Sequence, residues 1–163
     1  MPGARRRFLF ALLLGALQTR GARAQAEVDD AWFGAWRLDL ERSTYEPGPR
    51  PYRRASRTIE PWRGGVKVVD EMVGERGGVL HTEWTGRFDG EDYPTKGVDD
   101  PLTCAYRRVD ARAYDVVTKV DGRRRALSHT VLSPDGRTIT TLTIGRNTFG
   151  GEFKAITVYR KAD

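Results

Sequence analysis

Apolar and polar residues alternate along most of the chain with a period of two, the period of a strand with one buried face. In VLHTEWTGRF (79–88), Leu80, Thr82, Trp84 and Phe88 share one parity, and His81, Glu83, Thr85 and Arg87 share the other. Short glycine-bearing breaks separate such runs: Arg63-Gly64-Gly65, Arg76-Gly77-Gly78, Asp89-Gly90, Asp121-Gly122, Ser133-Pro134-Asp135-Gly136 and Phe149-Gly150-Gly151. Glycine supplies the positive φ that tight hairpin turns require. The breaks delimit ten predicted strands, at 34–40, 54–61, 66–75, 79–88, 92–95, 102–109, 114–120, 123–133, 138–145 and 153–161. No interior segment carries a 3.6-residue apolar period. At most two short helical turns are predicted, one within 27–34 capped by Asp29 or Asp30 and one within 40–45. Strands at this spacing predict one all-β domain, a sandwich or barrel.

Residues 1–24 depart from the pattern. Arg5, Arg6 and Arg7 precede the apolar run FLFALLLGAL (8–17), and Ala22-Arg23-Ala24 gives an A-x-A cleavage pattern. This is the layout of a secretory signal peptide, and the run is shorter than the ~20 residues a membrane span needs. The expected mature domain is 25–163, periplasmic or secreted, with no stable membrane anchor. RRRFL (5–9) resembles the twin-arginine export pattern R-R-x-F-L, although Ala4 and Phe10 depart from its flanks; an ordinary Sec signal is the alternative.

The leader changes how the charge is read. The chain has 28 Lys and Arg against 22 Asp and Glu, but five of its arginines and none of its acids lie in 1–24. The remaining 23 against 22 leave a net charge of +1. No nucleic-acid partner is predicted, because that needs a larger basic field. The single cysteine, Cys104, allows no internal disulfide and is expected to be a buried, inert thiol. The chain is expected to be a monomer.

Candidate chemistry is sparse. No nucleophile elbow and no phosphate-binding glycine loop leading into a helix occurs in the sequence, so no catalytic residue, metal site or cofactor is predicted. His81 and His129 are the only imidazoles, too few for a three-histidine zinc site. Asp70 and Glu71 are adjacent on a predicted strand and point to opposite faces, so they do not act as an acid–base pair. Arg123-Arg124-Arg125 follows a turn and suggests a charged strand end that discourages edge pairing. His129 shares a parity with Arg125, Leu127 and Val131. That parity suggests either a core histidine or a lumen residue that bonds a ligand head or ligates a haem iron.

Gly34-x-Trp36 at the head of the first predicted strand resembles the signature of the calycins, the lipocalins and fatty-acid-binding proteins. More closely, GAWRLDLERSTYEPGPRP (34–51), RTIEP (57–61), GRFDGEDYPTKG (86–97), RRVDARAYDVVTKVDG (107–122), VLSPDGRTIT (131–140) and ITVYRK (156–161) resemble small exported bacterial proteins of lipocalin-like type. The resemblance implies an antiparallel up-and-down barrel of about 8–10 strands, with Trp36 plugging its closed end. Gly34 admits the turn, and Arg160 of the last strand stacks on the indole, with Arg37 as a competitor. It also implies a lumen holding a small apolar or amphipathic ligand. Tyr159 and Arg160 are adjacent, so the Arg-x-Tyr carboxylate clamp of the fatty-acid binders is absent. Parity places Ile59, Val68, Leu80, Leu102, Cys104, Val116 and Leu142 inward, with Leu127. The candidate ligand-lining residues are Trp84, Phe88, Tyr106, Arg125, His129 and Tyr159. The competing reading is an envelope interaction module whose barrel is filled by its own side chains.

Overall fold

The computed structural model describes residues 28–163; the predicted leader and its cleavage site lie outside them. One 3-10 turn, Asp30–Trp32, opens the fold, and the Asp29 carboxylate caps it by accepting from Ala31 N at 2.9 Å. Strands follow: β1 (Gly34–Leu38), β2 (Thr44–Glu46), β3 (Tyr52–Trp62), β4 (Gly65–Gly74), β5 (Val79–Gly86), β6 (Tyr93–Lys96), β7 (Leu102–Asp110), β8 (Ala113–Val120), β9 (Arg123–Leu132), β10 (Thr138–Arg146) and β11 (Glu152–Lys161). Each of the ten predicted strands is present within a few residues. The predicted helix at 40–45 is instead a turn running into β2.

From β3 onward each strand pairs antiparallel with the next, and β1 pairs with both β3 and β11. The result is an up-and-down barrel of ten strands closed on itself. β2 is the continuation of β1 along β11, facing Lys154–Ile156 while β1 faces Tyr159–Lys161. The turn between them is held by Asp39, whose backbone N–H donates to Val158 O at 2.8 Å, and by Ser43 Oγ, which donates to Asp39 O at 2.7 Å.

One end of the barrel is sealed by the chain entering it. Trp36 is 0% exposed, and its indole N–H donates to Trp32 O at 3.1 Å. The cation over the Trp36 ring is Lys161, its Nζ 5.1 Å from the centroid. Arg160, expected in that role, projects outward and pairs with Asp39 at 2.9 Å. The register explains the exchange: Trp36 lies opposite Lys161, so those two share the inner face, and Arg37 lies opposite Arg160 on the outer face. Gly34 has φ +123°, and a Cβ there would meet Lys161 Cε at 3.3 Å. This is a backbone shape and an approach that suit glycine.

Candidate functional site

The interior is layered. At the closed end aromatic rings fill it: Trp84 stacks on Tyr106 at 3.9 Å, Tyr106 on Tyr114 at 5.2 Å, and Phe88 meets both tyrosines edge-on. Trp84 N–H donates to Cys104 O at 3.2 Å. The predicted lumen residues Trp84, Phe88 and Tyr106 do point inward, but they form the packed floor.

Above that floor the inner face turns polar. Register pairing places Arg57 opposite Asp70 on β3 and β4, and Thr82 beside Asp70 on β5. Arg57 Nε donates to Asp70 Oδ1 at 2.7 Å and Nη2 to Oδ2 at 3.0 Å, a two-pronged fork. The guanidinium also lies 5.2 Å over the Tyr159 ring. Burial works against the charge on Arg57, but Asp70 and the neighbouring tyrosines outweigh it and raise its pKa well above the usual value. Although deep in the barrel, the two side chains keep 18% and 16% of their surface accessible. Hydroxyls continue the layer. Ser128 bonds Thr143 at 2.8 Å, Thr130 bonds Thr141 at 2.9 Å, and Thr95 donates to Cys104 Sγ at 3.7 Å. Burial pushes the Cys104 thiol pKa up, which suits an unreactive sulfur. Tyr45 Oη is buried with no hydrogen-bond partner, and Tyr45 and Tyr52 are close enough to Tyr159 to perturb its ionisation. Toward the mouth the inner face is apolar again, with Met72, Leu80, Leu102, Val120 and Phe153 partly accessible.

His129, Arg125, Leu127 and Leu142 were expected inside and are outside. His129 sits half exposed on the outer face, 2.7 Å from Asp115, so it neither lines the lumen nor reaches a haem held there. The closed end sets this parity. Leu132 and Ile139 flank the β9–β10 turn at 1% and 0% exposure, and every second residue from them is inward. That puts Thr130, Ser128, Thr141 and Thr143 inside and the leucines outside. Arg123-Arg124-Arg125 guards no edge, because β9 pairs with β8 and with β10. Tyr159 is inward as expected.

Sequence reasoning missed Arg57 and Asp70. The signal was present: Arg57 shares its parity with Ile59, and Asp70 shares its parity with Val68, both placed inward. Two opposite charges on the buried parity of neighbouring strands mark an interior ion pair. Glu71 turns outward toward His81 at 3.4 Å.

All six tyrosines have pKa values raised above the usual phenol value. Burial is the first cause except at Tyr93, where the hydrogen bond to the Asp89 carboxylate leads; Tyr159 is pushed up to about 12. The folded state thus holds phenol protons that an unfolded chain releases near pH ~10, and stability falls as pH rises above that value. Absorbance titration at the phenolate band is expected to show little ionisation near pH ~10 in the native protein. It is then expected to rise together with the loss of near-ultraviolet circular dichroism. Normal tyrosine titration with the fold intact would contradict this burial of the rings.

Among the described residues no cluster of three or more His, Cys, Asp or Glu side chains is placed to hold a metal ion. No protein-family model matches the chain, and no curated protein matches it at a significant level. The fold and the layered interior are therefore what a functional reading has to stand on.

Proposed function

We propose that this is an exported, non-enzymatic binding protein of lipocalin-like type, which takes a small amphipathic molecule into the mouth half of its barrel. The Arg57–Asp70 pair carries the reading. An ion pair this deep bears a large desolvation cost, and replacing such a pair with packed apolar side chains is often neutral or stabilising. A ligand that uses the pair gives it a purpose. Asp70 already balances the charge of Arg57, and the fork leaves Nη1 unused. The fitting head is therefore polar and uncharged, such as an amide or alcohol, with an oxygen accepting from Nη1. Its tail lies along Met72, Leu80 and Leu102 toward the mouth.

Calorimetric titration of residues 25–163 with decanamide tests this. One saturable site is expected, and Leu80→Trp, which narrows the mouth, is expected to abolish it. Decane lacks the head and is expected to bind more weakly by about 1–3 kcal/mol. Absence of saturable binding across neutral-headed amphiphiles, with the fold intact, would leave the side-chain-filled module as the better account.

A further inference from the structure

The outer face of β9 and β10 carries a feature that lumen binding does not use. Leu127 and Ile144 lie opposite each other in the ladder and are 40% and 51% exposed. Leu142 and Val131, also exposed, extend the strip along the same two strands. At the mouth end this strip runs into a groove of about 680 Å³ bounded by Pro47, Arg124, Arg125, Arg146 and Lys154. That volume is within the range of small-molecule sites.

A bulge arms the groove. Thr118 pairs with Ala126 but Lys119 pairs with Arg124, so Arg125 is the extra residue on β9. Consecutive strand residues ordinarily face opposite ways; across a bulge they do not. Arg124 follows Lys119 to the outer face, and Arg125 lies there by alternation from inward Ala126. Of the acids at the groove, Glu152 is held by Arg146 at 3.1 Å, and Glu46 lies across from Lys154 in the ladder. Among the described residues Arg124, Arg125 and Lys154 have no carboxylate within ion-pair distance.

We infer that this groove is a second binding site, separate from the lumen, for a single-chain amphiphile with an anionic head. The head lies among Arg124, Arg125 and Lys154, and the tail lies on Leu127, Ile144 and Leu142. Charge complementarity selects the head, and the exposed apolar strip selects the tail.

Laurate below its micellar concentration is the probe, titrated into residues 25–163 by calorimetry in low salt. Saturable binding at one site is expected. The triple variant R124A/R125A/K154A is expected to weaken it by at least about fivefold, the scale of three surface charge contacts. Ile144→Asp is expected to do the same, and Leu80→Trp is expected to leave it unchanged. This last variant separates the proposal from lumen binding, because loss of decanamide binding does not predict loss of laurate binding. Any of four results overturns the proposal. Laurate does not bind; the triple variant loses less than about fivefold; Leu80→Trp abolishes laurate binding; or the face engages only anionic vesicles or a second copy of the chain in sedimentation.

Discussion

Arg57→Leu is expected to cost about 3–5 kcal/mol, the scale found when one partner of a buried ion pair is removed. The loss comes less from the attraction than from what remains: Asp70, 16% accessible, is left without its partner against a leucine and an aromatic ring. The double variant R57L/D70L is therefore expected to recover most of the loss, within about 1 kcal/mol of the parent or above it. It should not recover binding of a polar-headed ligand. Urea unfolding of the parent, both single variants and the double variant gives the coupling directly. A cost for Arg57→Leu below about 1 kcal/mol would mean that lumen water solvates Asp70 as well as bulk water does. The pair would then have no standing as an enclosed interaction.

Trp36→Ala should cost about 3–5 kcal/mol, the range for truncating a fully buried large aromatic. Trp36 is wholly covered and its N–H ties β1 to the opening turn through Trp32 O. The variant therefore loses the packing of the closed end and one buried hydrogen bond together. Lys161→Met keeps the length of the covering chain but removes both the cation over the ring and its hydrogen bond to Ala31 O at 2.9 Å, so it should cost about 1–3 kcal/mol. Arg160→Met should leave the packing over Trp36 intact, because Arg160 faces outward, but it strands the buried Asp39 carboxylate and so should also lower the midpoint. Thermal denaturation gives the three losses, and near-ultraviolet circular dichroism of the closed-end rings separates Arg160→Met from the other two. An unchanged midpoint for Trp36→Ala would remove the tryptophan from the closure of the barrel.

Strand content was legible from the sequence because strand alternation and glycine turns are local. Asp121-Gly122 has positive φ at both residues, 50° and 71°, and the dipeptide alone signals that turn. The buried parity of β3, β4, β5, β7 and β8 was legible too, since Ile59, Val68, Trp84, Tyr106 and Val116 fall on the parity read as apolar in their runs and do face inward. Other features were settled only by the closed sheet. On β9 and β10 Leu127, Leu142 and Ile144 face out, because burial of Leu132 and Ile139 at the far end fixes a two-residue period that local hydrophobicity cannot reverse. Lys161 rather than Arg160 covers Trp36, because register with β1 decides which neighbour points inward. β2 emerges from a stretch with no strand signal because the open flank of β11 needed partners for its backbone groups. Arg57 and Asp70, thirteen residues apart, become one buried fork only when β3 and β4 pair. A residue's chemistry is written in its side chain. Which chemistry it meets is a long-range matter of register and closure, set by the cooperative burial of the whole barrel.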